Sequence, residues 1–84
     1  MVTLFKTTVC PKCKLLKGYL ESIGVEFNIF NVDDPEGLTE MFAAGIYARE
    51  VPVLLTDNGV LLVTDLFKNN KLDEELIKQY VQKQ

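Results

Sequence analysis

The spacing of apolar residues in the first third of the chain predicts a strand, a helix and a second strand. Residues 2–5 are apolar or β-branched and lead into a polar loop, as in a short buried strand. Apolar residues then recur at helical intervals over residues 11–23, until Gly24 ends the run. Residues 25–32 are rich in phenylalanine, isoleucine and valine, which predicts the second strand. Because the helix is long enough for a right-handed crossover, we expect the two strands to be parallel.

The remaining pattern predicts a helix, a hairpin and a last helix. Asp34, followed by a proline, is the predicted N-cap of a helix that runs to about residue 45. Two apolar segments, 51–56 and 60–63, flank an Asp-Asn-Gly turn whose Asn-Gly pair favours positive φ. Asp73 precedes the last helix as its N-cap. The predicted order, βαβαββα, is that of an α/β fold.

One glycine interrupts the first predicted helix. Gly18 lies in its middle, where glycine costs about 1 kcal/mol relative to alanine. A glycine kept at such a cost suggests that a neighbouring element approaches the helix closely there.

Length and composition indicate one small globular domain. The chain has 84 residues, of which 48% are hydrophobic and 25% charged, as in folded soluble domains. It contains no linker, repeat or low-complexity segment, so we expect a single domain over 1–84 and a monomer. Any function must then reside on this one unit.

The charge balance excludes several classes of partner. Binding to DNA, RNA or an anionic membrane requires clustered lysine and arginine, and a chain with a formal net charge of −3 is not expected to present such a surface. No segment approaches the ~18 apolar residues of a membrane span, and the first residues do not resemble a signal peptide. We therefore expect a cytoplasmic protein. The local exception to the acidic balance is a basic group around the cysteines: Lys12, Lys14 and Lys17. Of these, we expect Lys12, which lies between the two cysteines, to take part in substrate binding.

The two cysteines form a Cys-Pro-Lys-Cys motif, Cys10 to Cys13. Half of a tetrahedral zinc site is one reading of such a pair, but the chain has no histidine and no third cysteine to complete four ligands. Two inert, buried thiols are a second reading. In a reducing compartment, two cysteines at this spacing favour thiol–disulfide chemistry, so we predict a redox pair and no metal.

The position of the motif predicts different roles for the two sulfurs. Cys10 precedes the first helical turn, where free backbone N–H groups can stabilise a thiolate, whereas Cys13 lies inside that turn. A helix N-terminus contributes up to about 2 kcal/mol, and an ammonium such as that of Lys12 about 1 kcal/mol at ~4 Å in water. We therefore predict Cys10 as the attacking thiol and Cys13 as the resolving thiol.

The motif and three further segments resemble glutaredoxins over nearly the whole chain. These segments are Val-Pro at the start of the third strand, Asp-Leu after the fourth, and the run Lys-Leu-Asp-Glu-Glu-Leu that leads into the last helix. The resemblance implies a thioredoxin-like fold with a four-stranded mixed sheet flanked by helices. It also implies that Pro52 is cis, that Val51 and Pro52 bind the substrate cysteine, and that Asp65 binds the amino end of a γ-glutamyl group.

The sequence departs from the glutaredoxin pattern at two places. No glycine occurs between Val60 and Asp65, where glutathione-using members carry a Gly-Gly pair. Thr7 replaces the usual lysine three positions before the first cysteine, and Lys6 lies one place earlier. Both departures predict weak recognition of glutathione.

The resemblance and the motif together predict a dithiol oxidoreductase that reduces protein or small-molecule disulfides and needs no resident cofactor. We expect disulfide-containing protein substrates, with glutathione as co-substrate or a thioredoxin reductase as electron source. Two alternatives stay open. One is a [2Fe–2S] carrier that uses Cys10 from two chains. The other is an electron donor to ribonucleotide reductase.

Overall fold

The computed structural model describes residues 1–82 and contains ten short elements. They are β1 (Val2–Lys6), α1 (Pro11–Ser22), β2 (Phe27–Asn31), α2 (Pro35–Ala43), β3 (Val53–Thr56), β4 (Gly59–Leu61), α3 (Val63–Leu66), β5 (Phe67–Lys68), β6 (Lys71–Leu72) and α4 (Glu74–Gln82). The longest helix, α1, has 12 residues. Within the described residues, no helix is long and apolar enough to cross a membrane.

A four-stranded mixed sheet organises the fold, in the order β2-β1-β3-β4. Strands β1 and β2 are parallel, while β3 pairs antiparallel with both β1 and β4. The predicted α/β architecture and four-stranded mixed sheet are thus confirmed.

Successive side chains of the central strands point to opposite faces of the sheet, so the core is divided between those two faces. Leu4 and Leu54 are opposite each other and pack with the buried side of α1 and α4. Their neighbours Phe5 and Val53 turn to the other face and pack with Met41 of α2. Because successive strand residues point to opposite faces, β1 and β3 supply both cores. Each fully buried aliphatic side chain contributes about 1.5–3 kcal/mol through burial.

The segment after β4 differs from its predicted structure. The predicted strand 60–63 ends at Leu61, and α3 begins at Val63, because Oδ2 of Asp65 accepts the Leu62 N–H over 3.0 Å and so caps that short helix. A second hairpin, β5–β6, follows, and sequence reasoning missed it. Its turn residues are Asn69 and Asn70, with φ of 53° and 65°. Asparagine tolerates this left-handed backbone better than most residues, which suits a two-residue hairpin turn.

The turn between β3 and β4 also differs in detail from its prediction. Thr56 pairs with Gly59, so the two loop residues are Asp57 and Asn58. Gly59 has a φ of +136°, whereas Asn58 is not among the positive-φ residues of the described chain. The predicted hairpin is present, but the positive φ falls on the glycine alone.

The close approach expected at Gly18 occurs at a different glycine. A Cβ built on Gly18 would meet no atom within 4 Å, so that part of the prediction is wrong. A Cβ on Gly37 would collide with the backbone carbonyl of Asn31, because α2 lies directly against the end of β2. Close packing therefore requires the glycine of α2, and it does not require the glycine of α1.

Candidate redox site

Cys10 is the N-cap of α1, and Pro11 is the first residue of the helix. The backbone of Cys10 is extended, with φ −154° and ψ 94°, and its Sγ accepts the Cys13 N–H over 3.1 Å. The two cysteines are joined in a disulfide. The motif thus lies across the start of the helix, with one backbone donor aimed at the sulfur of Cys10.

The two sulfurs differ in accessibility. Cys13 is 1% exposed and belongs to the buried residues, whereas Cys10 is half-buried. A substrate disulfide can therefore reach Cys10 far more easily than Cys13. This asymmetry supports the predicted division into an attacking and a resolving thiol.

The Val51–Pro52 segment lies at the same end of the sheet as the cysteines. Val53, which follows it, is opposite Phe5, and β1 leads from there into the loop before Cys10. The Val51–Pro52 peptide bond is cis, as the resemblance implies. Val51 is half-buried and Pro52 is buried. Their binding of a substrate cysteine stays a prediction.

Lys12, between the two cysteines, contacts an aromatic ring. Its Nζ lies 5.2 Å from the centroid of Phe67, within the range of a cation–π interaction. The sequence predicted that this ammonium acts on the Cys10 sulfur, and gave no sign of the contact with Phe67. Phe67 is 7% exposed and belongs to the core, so Lys12 links the motif to β5.

The loop before Cys10 is bonded to the turn between β2 and α2. The Thr8 N–H donates to Oδ2 of Asp33 over 2.8 Å, and Nδ2 of Asn31 donates to the Thr8 hydroxyl over 2.9 Å. Asn31 Oδ1 in turn accepts the Asp33 N–H over 2.9 Å. Sequence reasoning missed these residues, because polar side chains in a turn carry no signal of what they contact.

Asp65 has a local structural role in addition to the binding role implied by the resemblance. Besides accepting the Leu62 N–H, it lines a cavity of about 400 Å³ together with Tyr47, Ala48 and Val60. Its carboxylate therefore borders open space next to the sheet edge. Recognition of an amino group there stays a prediction.

A smaller cavity of about 160 Å³ adjoins this space, since Ala48 and Leu62 line both cavities. The smaller cavity lies beside Glu50, the residue that precedes Val51. Tyr47 is 73% exposed and its ring stacks on that of Phe42, with centroids 5.3 Å apart. A groove lined by both apolar and charged residues, with an exposed aromatic rim, thus runs from β4 toward Val51.

Tyr19 is half-buried between α1 and the start of α4. It packs against the main core, and its hydroxyl donates to the Glu74 carbonyl over 3.2 Å. Burial, and secondarily the negative charge of Glu74, raise the pKa of Tyr19 above its usual 10.0. Tyr19 therefore joins α1 to α4 as a neutral donor.

Over residues 1–82, the structure brings together no group of three His, Cys, Asp or Glu side chains that could hold a metal ion.

Comparison with known proteins gives consistent matches. The family model described as glutaredoxin matches residues 2–62. The SPbeta prophage-derived thioredoxin-like protein YosR of Bacillus subtilis (strain 168) is 32% identical over 68 residues, which are 80% of this chain and 82% of that protein. The glutaredoxin-like protein NrdH of Lactococcus lactis subsp. cremoris (strain MG1363) is 32% identical over 59 residues, or 69% of this chain and 79% of that protein.

Solved structures agree on the fold. The crystal structure of a glutaredoxin from Archaeoglobus fulgidus superimposes with a TM-score of 0.69 at 22% identity, covering 96% of this chain and 85% of the other. That likeness identifies a thioredoxin-like fold. With a family model that spans most of the sequence and a Cys-x-x-Cys pair at the start of α1, the chain belongs to the glutaredoxin family.

Proposed function

We propose that the protein is a dithiol oxidoreductase that reduces disulfides through Cys10 and Cys13. The observation that carries this proposal is the asymmetric pair at the start of α1, in which a half-buried Cys10 is bonded to a buried Cys13. A pair with one accessible and one protected sulfur suits exchange with an external disulfide.

The reaction begins with the reduced pair. The Cys10 thiolate attacks one sulfur of the substrate disulfide, that S–S bond breaks, and the departing sulfur takes a proton from solvent. Cys13 then loses its proton to solvent and attacks Sγ of Cys10. The second substrate sulfur leaves as a thiolate and takes a proton from solvent, and the Cys10–Cys13 disulfide remains. Two electrons pass from the protein to the substrate. The Cys13 N–H, which points at Sγ of Cys10 in the disulfide form, supports the proposal that this donor stabilises the Cys10 thiolate after reduction.

The oxidised pair must be reduced again from outside. Glutathione and a thioredoxin reductase are the two electron sources that we propose for a protein working in a reducing cytoplasm. Two features favour the reductase. Thr7 stands where glutathione-using members of the family carry a lysine, and the side chains of Leu62, Val63 and Thr64 lie where those members carry a glycine pair.

The test is an assay of disulfide reduction with two electron sources supplied separately. Insulin and bis(2-hydroxyethyl) disulfide serve as substrates, with either glutathione plus its reductase or thioredoxin reductase, each with NADPH. Turnover of either substrate supports the proposal, and absence of turnover with both sources contradicts it. A stable visible absorbance band after anaerobic reconstitution with iron and sulfide would favour the [2Fe–2S] carrier instead.

A narrower candidate function is electron donation to ribonucleotide reductase. One observation favours it, the likeness to the glutaredoxin-like protein NrdH. The test supplies the pre-reduced protein as sole reductant to a ribonucleotide reductase and measures deoxyribonucleotide formation. Formation at rates comparable to those with dithiothreitol supports this role, and formation no faster than without the protein excludes it.

A further inference from the structure

The hairpin β5–β6 places two lysines directly opposite each other. Lys68 pairs with Lys71 across the two strands, and both side chains are exposed, whereas Phe67 and Leu72 form the pair on the inner side. Like charges directly opposite on an antiparallel pair destabilise the hairpin. The fold therefore carries a local cost that packing does not explain.

No carboxylate of the described chain neutralises this pair. Within residues 1–82 the salt bridge formed is that of the Met1 amino group with Asp57, beside the β3–β4 turn. Nζ of Lys68 donates to the Thr64 carbonyl over 3.1 Å, which orients the ammonium but leaves its charge in place. The outer side of the hairpin thus presents two positive charges, neither of which has a salt-bridge partner among residues 1–82.

The hairpin borders the redox motif. The Lys12 ammonium lies over the ring of Phe67, so a third cation is held between the cysteines and β5. The charges of the chain are also segregated along the sequence. Residues 6–17 contain lysines but no acidic residue, whereas residues 18–48 contain acidic residues but no lysine or arginine. The segment that carries the cysteine motif is therefore basic although the net charge is −3.

We propose that Lys12, Lys68 and Lys71 form a recognition surface for an acidic segment next to the target disulfide of a protein substrate. This inference rests on the proposed reductase function and adds a substrate class to it. Complementary charge near the reacting sulfurs raises the rate of encounter and selects among partners. The acidic composition of the remaining chain argues against a nucleic acid as occupant, since that partner would be repelled outside this corner.

The experiment compares three disulfides with pre-reduced full-length protein in single-turnover reactions. Two are peptides of identical length whose cysteines are flanked either by Asp and Glu or by Lys and Arg. The third is bis(2-hydroxyethyl) disulfide, which is small and neutral. Variants are Lys71→Glu and the double variant Lys68→Glu/Lys71→Glu.

Lys78→Glu is the matched control, because it makes the same charge change at an exposed position of α4. Asn58 Nδ2 donates to the Tyr80 carbonyl over 2.8 Å, so this half of α4 adjoins the β3–β4 turn, away from the redox end.

At low ionic strength we expect the acidic peptide to react about tenfold faster than the basic one, and the preference to fade in 0.5 M salt. Lys71→Glu should slow the acidic peptide about threefold and the double variant about tenfold, with the neutral disulfide unchanged. Lys71→Glu also replaces a repulsive cross-strand pair with an attractive one, so its melting temperature should stay level or rise while its rate on the acidic peptide falls.

Different results would contradict the recognition surface and the proposed reductase function. Equal rates on the two peptides, or an equal effect of Lys78→Glu, would overturn the recognition surface. A loss of rate on all three disulfides together with a lower melting temperature would assign the lysines a structural role only. Absence of reaction with all three disulfides in the unmodified protein would instead refute the proposed reductase function.

Discussion

The backbone N–H of Thr8 donates to the Asp33 carboxylate over 2.8 Å, across a sequence separation of 25 residues. Asn31 strengthens the connection by donating to the Thr8 hydroxyl. The loop that ends at Cys10 is therefore held by the β2–α2 turn as well as by its covalent links to β1 and α1. A nucleophile gains rate when its approach geometry is fixed before reaction.

Removal of the Asp33 carboxylate should slow the first exchange step. We expect Asp33→Ala to lower the rate of mixed-disulfide formation about two- to fivefold, because the lost exposed hydrogen bond is worth about 0.5–1 kcal/mol. Asp33→Asn keeps an acceptor oxygen and should restore most of the rate. The control is Asp34→Ala, since the Asp34 side chain makes no capping hydrogen bond. Equal rates for Asp33→Ala and Asp34→Ala would refute this positioning role.

Substitution of the cysteines should give two different phenotypes. Cys10→Ser should abolish exchange, because the remaining sulfur is 1% exposed. Cys13→Ser should trap a mixed disulfide between Cys10 and the substrate, since no resolving thiol is left. Mass spectrometry of each variant after incubation with a disulfide peptide measures the adduct. An adduct on Cys13 in the Cys10→Ser variant, formed as fast as that on Cys10, would reverse the roles.

Glutathione should be a poor reductant for this protein. Thr7 offers no charge to a glutathione carboxylate, and its hydroxyl donates to the nearby Val9 carbonyl. We expect Thr7→Lys to raise the catalytic efficiency with glutathione about two- to fivefold, because one exposed charged contact changes affinity by about that factor. The assay is turnover of a glutathionylated peptide with glutathione as sole electron source, and Thr7→Gln is the uncharged control. Efficient turnover by the unmodified protein would contradict the prediction.

Two glycines should respond oppositely to alanine. Gly18→Ala should raise the free energy of unfolding by about 0.5–1 kcal/mol, because the added methyl meets no neighbour and alanine favours the helix. Gly37→Ala should lower it by about 1–3 kcal/mol, because the methyl collides with the Asn31 carbonyl. Urea unfolding followed by circular dichroism measures both. A stabilised Gly37→Ala variant would show that α2 moves away from β2 at no cost.

Tyr19 should make stability depend on pH in the alkaline range. Its pKa is raised in the folded protein, so the unfolded chain loses the phenolic proton first as the pH increases. The contribution is complete below pH 10.0 and is lost as the pH rises through the folded pKa. Urea unfolding at pH 8 and at several values above 10 should show a steeper loss for the unmodified protein than for Tyr19→Phe. Parallel curves for the two proteins would contradict the prediction.

Local signals in the sequence determined the elements that carry the redox motif. Pro11 fixes the start of α1, so Cys10 falls outside the first turn and Cys13 inside it, as predicted. The helix that begins at Pro35 and the hairpin around Gly59 were likewise predicted from the residues themselves. Such signals suffice because a cap, a proline or a turn acts within a few residues of itself. Apolar spacing then assigned the four strands of the sheet and the three longer helices to their layers, but it predicted neither α3 nor the β5–β6 hairpin.

Only the tertiary structure decided which distant side chains surround that motif. Lys12 was predicted to act on the cysteine beside it, yet its ammonium contacts Phe67 at the other end of the chain. Asp33 became a partner of Thr8 only because β1 and β2 run parallel and bring their carboxyl ends together. The hairpin with Lys68 and Lys71 has strands of two residues, too short for any hydrophobic period to be read. These contacts follow from how the elements pack, and no local pattern encodes packing between residues so far apart in sequence.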